Sequence, residues 1–329
     1  MKAAWFDSFG PAGDVLQLGE QPTPGPGDGE VLVRLETSGV NPSDVKKRAG
    51  AFPDLLDNGL VIPHSDGAGV IEAVGAGVPP SRVGERVFVY QAQHGRRFGT
   101  AAEYVALESR RAPVLPDAAS FAVGACVGIP MMTAHRCVLA DGDVAGQRIL
   151  VTGGAGRVGY YAIQWALRNG AKVLATASNE QDAALCRDLG VEGVVNHREA
   201  GWGKQVLELT GGERLDRVVD VEFGVNLEEV LGCIRTGGTI ATYSSTVVPE
   251  PALPFRTMMF MDLTVRMVIV YAMPEGAKAA AVAHTQAALA AGELRHRVAQ
   301  ELPFADMARS HERIEEGGCG GCIVVQIND

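Results

Sequence analysis

Arg148-Ile-Leu-Val-Thr-Gly-Gly-Ala-Gly-Arg-Val-Gly159 places Gly154, Gly156 and Gly159 in G-x-G-x-x-G spacing directly behind a short apolar strand. The pattern reads as a dinucleotide site. The first glycine permits a tight turn, the second lets a pyrophosphate approach the backbone, and the third lets the following helix pack closely on the strand. An anion then sits at the helix N-terminus, before unpaired N–H groups and the positive end of the dipole. In a chain with 41 glycines the spacing alone has little specificity, so the sequence around it decides.

Behind the glycines, segments with helical and strand patterns alternate for about a hundred residues. Val158 to Asn169 reads as a helix, with Val158, Tyr161, Ala162, Trp165 and Ala166 on one face and Gly170 as its stop. Lys172 to Ala177, Gly193 to Asn196, Arg217 to Val221 and Thr239 to Tyr243 read as strands. Glu180 to Leu189, Lys204 to Leu209 and Asn226 to Ile234 read as the helices between them. Mostly apolar strands alternating with helices predict a doubly wound parallel sheet covered on both faces.

The first hundred residues differ in texture. Ala3 to Phe6, Val31 to Leu35, Gly69 to Val74, Arg86 to Tyr90 and Ala101 to Ala106 are short strand-like runs divided by Gly, Pro and Asp. Ser120 to Leu139 reads as a helix leading to the nucleotide strand, and Leu263 to Tyr271 as a further apolar strand. Lys278 to Ala291 and Met307 to Glu316 read as helices, with Cys322 to Ile327 as a last strand. The chain thus divides into a β-rich part over 1–121, a nucleotide domain over 122–262 and a segment over 263–329 that returns to the first part.

At 329 residues and 47% hydrophobic composition the chain has material for two cores. No apolar run reaches the roughly 18 residues needed to span a bilayer, and the opening residues lack a signal-peptide h-region. A cytoplasmic protein without membrane partners is expected. The formal net charge of -10 opposes general nucleic-acid binding. Cys126, Cys137, Cys186, Cys233, Cys319 and Cys322 read as reduced thiols. Cys319 and Cys322 cannot by themselves complete a zinc site, and the reading here is a glycine turn into the last strand.

Several blocks in fixed order resemble the medium-chain dehydrogenase/reductase superfamily, and within it the zinc-independent, zeta-crystallin-like quinone oxidoreductases. They are Ser38-Gly-Val-Asn-Pro-Ser-Asp44, Ser65-Asp-Gly-Ala-Gly-Val-Ile-Glu-Ala-Val-Gly75, Val83-Gly-Glu-Arg-Val-Phe88, Ala102-Glu-Tyr104, Gly128-Ile-Pro-Met-Met-Thr-Ala134, the glycine loop and Asn196-His-Arg-Glu199. The resemblance implies an α/β chain: a GroES-like β-rich catalytic domain and a Rossmann nucleotide-binding domain. Where zinc alcohol dehydrogenases of this fold carry a thiolate and an imidazole, this chain has Asn41 and Ser65. Neither is a usual zinc ligand, and His64 and Asp66 nearby make only a makeshift pair, so no metal is expected. Without a Lewis acid, the implied chemistry is transfer from NADPH to an electron-poor acceptor, a quinone or related compound, positioned in a cleft between the domains.

The resemblance further implies that Asn41 and Thr133 lie by the nicotinamide, where an amide or hydroxyl stabilises charge developing on the acceptor oxygen. An Asn-Pro turn is the plainer reading of Asn41. It also implies pyrophosphate contacts at Ala155, Gly156, Arg157 and Val158, ribose contacts at Ser178 and His197, and further contacts at Asn226 and Tyr243, Ser244, Ser245 and Thr246. Val268, Ile269 and Val270 would close over the ring. Lys46 replaces the aromatic residue of relatives and reads either as a cation over the cofactor or as a solvated lysine beside Lys47 and Arg48.

An NAD site normally offers a carboxylate about 20 residues past the glycines. Here the strand ends in Thr176-Ala-Ser-Asn179, which favours NADPH over NADH, with His197 and Arg198 adding positive character. Glu180 and Asp182 oppose this, and the last loop, 317–322, lacks the cation that relatives carry. The apolar edge near Thr264 to Val270 needs a partner, and relatives join two such edges into a homodimer. Two alternatives stand. One is an enone, alkenal or enoyl-thioester reductase whose basic patch is Lys46, Lys47 and Arg48 or His94, Arg96 and Arg97. The other is a non-catalytic NADPH-binding or RNA-binding, crystallin-like role.

Overall fold

The computed structural model describes residues 1–328. The chain forms two compact units, Pro130–Ala281 and Met1–Ile129 with the chain from Val282 onward.

In the first of these, six strands pair in the order Thr264–Met267, Ile234–Thr242, Leu215–Asp220, Arg148–Val151, Lys172–Ala177, Gly193–Asn196, all parallel. Strands buried on both faces must be apolar throughout, and Ile149, Leu150 and Val151 are fully buried. Helices Arg157–Arg168, Glu180–Asp188, Trp202–Leu209 and Phe223–Cys233 connect them. Asn179 starts the second by accepting the Asp182 N–H through its side chain, and Gly190, at φ +98°, follows its end. Leu150, Leu174, Trp202, Val218, Phe223 and Ile240 share one core. The strand order reverses between Arg148–Val151 and Leu215–Asp220, so ligands are expected outside the carboxyl ends of these neighbours.

In the other unit, Glu30–Val40 is the central strand, with Asp66–Val74, Tyr104–Glu108 and Cys322–Gln326 all antiparallel to it. Arg86–Val89 and Val298–Leu302 extend the sheet at its two sides. Pairing of Ile323 with Val40 brings the chain end back to this unit. Among the described residues all six cysteines are free thiols, and no helix is long and apolar enough to cross a membrane.

The unit limits differ from the sequence-based boundaries. Residues 122–129 pack with the β-rich unit, where the Ile129 N–H donates to Asp66 Oδ2 at 2.8 Å. Segment 263–281 stays with the parallel sheet because Thr264–Met267 pairs with Ile234–Thr242. The strand expected over 263–271 is shorter, giving way to a 3-10 turn at Val270–Ala272. Strand Gln17–Glu20, pairing with Lys2–Trp5, had no apolar alternation to reveal it. The helix expected over 120–139 is two, Phe121–Gly124 and Ile129–Leu139.

A buried polar chain crosses the β-rich unit. Thr100 Oγ1 donates to Asp66 O at 2.6 Å, so Ser38 Oγ, 2.7 Å away, must donate to Thr100 Oγ1. Ser38 then accepts from His64 Nδ1 at 2.8 Å, which leaves His64 Nε2 to accept from His311 Nε2 at 2.9 Å. One tautomer of each ring satisfies this direction. It requires a neutral His64, and burial holds His64 down to about 3 and His311 well below the usual histidine value.

Unfolded histidines take up protons near pH 6.5, whereas the folded chain resists until about pH 3. The contribution of His64 is therefore complete above pH 6.5 and is lost as pH falls toward 3, while buried Asp66, raised to about 8, contributes with the opposite slope. In urea unfolding the imidazole contribution, a loss of order 2 kcal/mol per buried ring between about pH 7 and pH 5, is read as the difference between the wild-type chain and a variant lacking one ring, in which the Asp66 slope cancels. His311→Gln, which keeps a donor toward His64, should reduce that loss; an identical pH dependence in the variant would contradict the assignment.

A second test concerns Gly39, where an added Cβ would lie 2.1 Å from Ala125 O. Gly39→Ala should cost about 1–3 kcal/mol in the same assay. A neutral result would show that this backbone approach is looser.

Candidate functional site

In the parallel-sheet unit the glycine loop is built by close approaches. The left-handed residue is Gly153, at φ +60°, one position before the first glycine of the fingerprint. Gly154 serves packing: a Cβ there would lie 2.9 Å from Ala175 Cβ, Cys186 Sγ and Ile163 Cδ1. At Gly159 a Cβ would come within 2.3 Å of Gly153 O, so the helix start presses directly on the loop. Gly156 is exposed, and a Cβ there would meet only Gly153 O, at 3.1 Å. Helix Arg157–Arg168 starts at Gly156 with no side-chain cap. Its first N–H groups form a ready anion cradle. Arg157 Nη1 is buried without a hydrogen-bond partner among the described residues.

The end of the second strand is tied to this loop. Thr176 Oγ1 accepts the Gly153 N–H at 3.0 Å and lies 3.0 Å from His197 Nδ1, and Gly154 N donates to Thr176 O at 2.9 Å. His197 is thus a brace for the loop. Burial, with Arg198 nearby, lowers its pKa from 6.5, so the positive character expected from it falls to the exposed Arg198 alone. Ser178 is half-buried at the strand end. Glu180 is engaged by Arg187, with Nη1 donating to Oε1 at 2.6 Å. Asp182 is held by Asn179 Nδ2 at 2.9 Å.

Across the switch point two acids that sequence reasoning missed organise the expected contacts. Buried Asp220 accepts from Thr152 Oγ1 at 2.7 Å and from Asn226 Nδ2 at 2.8 Å, which fixes Asn226 in place. Glu222 accepts the N–H groups of Thr246 and Val247 at 2.9 and 3.0 Å, while Ser245 Oγ accepts the Gly224 N–H at 2.9 Å. These bonds hold the loop of Ser244, Ser245 and Thr246 against the start of the next helix. Half-buried Tyr243 begins the loop, its phenol pushed well above the usual tyrosine value by burial. Both acids stand where strand Leu215–Asp220 ends, a position the strand pattern marks without indicating their partners. Val268 and Val270 are buried, whereas Ile269 is 55% exposed. The glycine loop, Ser178, His197, Arg198, Asn226 and Tyr243 to Thr246 therefore all follow carboxyl ends of parallel strands or open the next helix. Thr133 is buried on helix Ile129–Leu139.

In the β-rich unit Asn41 precedes helix Pro42–Arg48, with its N–H on Asp44 Oδ2 at 2.9 Å. Its Nδ2 donates to Asp66 Oδ2 at 2.9 Å, and the same oxygen accepts the Ile129 N–H at 2.8 Å. Burial raises the Asp66 carboxyl to about 8. Ser65 is buried, and no cluster of three or more His, Cys, Asp or Glu suited to a metal occurs among the described residues. His64 and Asp66, the makeshift pair of the sequence, instead bind Ser38 and His311, and Asn41 and Ile129.

The basic run is divided by the helix. Lys46 is exposed, but Lys47 is buried with Nζ donating to Gln93 O and Oε1, both at 2.7 Å. Arg48 is 1% exposed and donates to Gly10 O and Glu315. Neither belongs to a solvated basic face, because residues one and two positions on from Lys46 turn to other sides of the helix. The second basic cluster is likewise engaged: Arg96 donates to Ala106 O, and Arg97 to Leu60 O and Asn58 O. A cavity of about 570 Å³ beside them also has Glu30 and Glu108 on its wall.

Residues 27–117 match the family model described as an alcohol dehydrogenase GroES-like domain, and residues 158–285 match that of a zinc-binding dehydrogenase. The quinone oxidoreductase of Pongo abelii is 31% identical over 327 residues, covering 97% of this chain and 95% of its own. Among solved structures, an NAD-dependent alcohol dehydrogenase is 29% identical with a TM-score of 0.88, both chains being covered in full. A mycobacterial protein solved with NADPH is 27% identical with a TM-score of 0.86, over 99% of this chain and 100% of its own. Both family models, the relative's near full-length match and the GroES-like and Rossmann-like units agree: the chain belongs to the quinone oxidoreductase family of the medium-chain dehydrogenases/reductases, and is an oxidoreductase.

Proposed function

We propose that the chain is a cytoplasmic, NADPH-dependent quinone oxidoreductase that reduces a quinone or related electron-poor acceptor without zinc. The observation that carries this reading is the uncapped start of helix Arg157–Arg168 behind a loop with no room for a side chain at Gly154 or Gly159, with Arg157 Nη1 buried and unpartnered among the described residues. Those groups suit a pyrophosphate. Ala155, Gly156, Arg157 and Val158 would hold it, and Ser178, His197 and Arg198 would hold the adenosine ribose. Asn226, Tyr243 to Thr246 and Val268 to Val270 serve the ribose and nicotinamide, and Lys46, which is exposed, is a further candidate cofactor contact.

The choice of NADPH over NADH rests on the second strand. Ser178 and Asn179 end it with small polar groups, Glu180 is paired with Arg187, Asp182 is held by Asn179, and exposed Arg198 brings a positive charge. When bound, the reduced nicotinamide supplies the hydride. The chain's own residues position and polarise: Asn41 through its amide and Thr133 through its hydroxyl donate toward the acceptor oxygen, where negative charge develops. Asn41 and Ser65 are poor zinc ligands, which supports chemistry without a Lewis acid. Electron-poor acceptors suit such a site. The thioester alternative loses its support, since Lys47, Arg48, Arg96 and Arg97 are engaged internally.

The test is NADPH oxidation followed with 1,4-benzoquinone, 9,10-phenanthrenequinone, an enone and crotonyl-CoA. Turnover with the quinones above the others supports the reading; turnover with crotonyl-CoA alone would replace it. Arg198→Glu should weaken NADPH at least about fivefold, the size of a partly exposed ion pair, and leave NADH unchanged in a fluorescence titration. Equal losses for both nucleotides would remove Arg198 from the 2′-phosphate site.

We also propose a homodimer. Among the described residues strand Thr264–Met267 has a neighbour on one side only; its Met267 is 71% exposed, and Phe255 and Phe260 of the preceding helix are 70% and 72% exposed. An open apolar edge of this kind is normally covered. Light scattering after size exclusion should give twice the chain mass, and Met267→Arg combined with Phe260→Glu should give the monomer. A wild-type monomer at micromolar concentration would refute the assembly.

A further inference from the structure

We propose that Asp66 is a positioning residue for the reaction: its Oδ2 grips the Asn41 side chain by the nitrogen and so decides which end of that amide faces the reactants. The inference rests on the reading above that Asn41 faces them. An amide has a donor end and an acceptor end of nearly equal size, and packing alone does not choose between them. In a site that stabilises charge with fixed dipoles, that choice is the chemistry.

Asp66 makes the choice by what else it binds. Oδ2 already accepts the Ile129 N–H at 2.8 Å, so its lone pairs point at donors. Nδ2 of Asn41, at 2.9 Å, satisfies it; the flipped amide would set oxygen against oxygen. The carboxyl itself has no room to move. Asp66 is fully buried, it pairs with Gly39 in the sheet, and a Cβ on Gly128 would fall 2.0 Å from Oδ1. Asn41 is held from the other side too, through its N–H on Asp44 Oδ2. With one Nδ2 hydrogen engaged, the second N–H is the donor left for a ligand.

The carboxyl also has a charge to change. Burial and the nearby Asp44 push it up to about 8, the N–H donors of Ile129 and Asn41 and the positive Lys47 oppose them, and the Cys126 thiol beside it stays protonated. The Asn41 amide therefore senses a proton arriving at Asp66 near the top of the physiological range.

Two readouts test this. In 15N-labelled protein, assigned with Asn41→Ala, the Asn41 side-chain amide signal should shift with a midpoint near pH 8 and should lose that titration in Asp66→Asn. In steady-state kinetics with NADPH and 1,4-benzoquinone, Asp66→Ala should lower kcat/KM for the quinone at least tenfold with NADPH affinity unchanged. Asp66→Asn, which keeps an oxygen for Asn41 and Ile129, should recover much of that loss. Asn41→Ala combined with Asp66→Ala should be no worse than Asn41→Ala alone, because one residue acts through the other.

Multiplying losses, or a folded Asp66→Ala with wild-type kcat/KM, would overturn the proposal. So would an Asn41 signal indifferent to both pH and Asp66→Asn, which needs neither turnover nor the alanine variant to fold. If no quinone is reduced while the signal behaves as described, the proposed activity fails and the coupling of Asp66 to Asn41 stands.

Discussion

The close contact between Gly159 and the Gly153 carbonyl is the constraint on which the nucleotide half of this protein depends. With no Cβ at 154 or 159, the first turn of helix Arg157–Arg168 can sit directly over the strand end. Its free N–H groups then open at the carboxyl edge of the sheet rather than being covered by a side-chain cap. The neighbouring bonds serve this arrangement. Thr176 and His197 tie the loop to the second strand, and Asp220 ties Thr152 to Asn226 across the switch point. A neutral brace at His197 suits that task better than a charged one, since a second positive charge beside Arg198 would be costly in a half-buried site.

The β-rich unit follows a different rule, in which buried polar groups are satisfied by partners far along the chain. His64 meets His311, Arg48 meets Glu315, and Asp66 meets Ile129. Each leaves little freedom: the histidine chain has one proton order, and Asp66 Oδ2 admits only donors. Such networks fix conformation more than they add stability, because desolvation offsets much of their attraction. In this unit the rigidity falls around Asn41, the side chain assigned to charge stabilisation.

Much of this was legible in the residues. The parallel sheet was visible because each strand and each helix stop is written locally, in apolar runs and glycines such as Gly170 and Gly190. The family blocks supplied the rest of the fold. What stayed hidden depends on distance along the chain. Gly128 and Pro130 mark the start of the helix at Ile129 locally, but the carboxyl that accepts its first N–H lies 63 residues earlier and is not announced by the residues around it. Lys46, Lys47 and Arg48 look alike in sequence, yet helix geometry sends the first to solvent and the other two inward. The left-handed turn fell on Gly153 because two adjacent glycines offer the same freedom, and only packing against Ala175 and Ile163 distinguishes them.

The central claim is that geometry and fixed dipoles replace a Lewis acid in this oxidoreductase. Metal analysis by mass spectrometry, run on the same samples whose quinone reduction is measured before and after exhaustive chelation, tests it most directly. The account predicts full NADPH-driven turnover with far less than one zinc per chain. Activity that disappears on chelation and returns in proportion to one added zinc would contradict it.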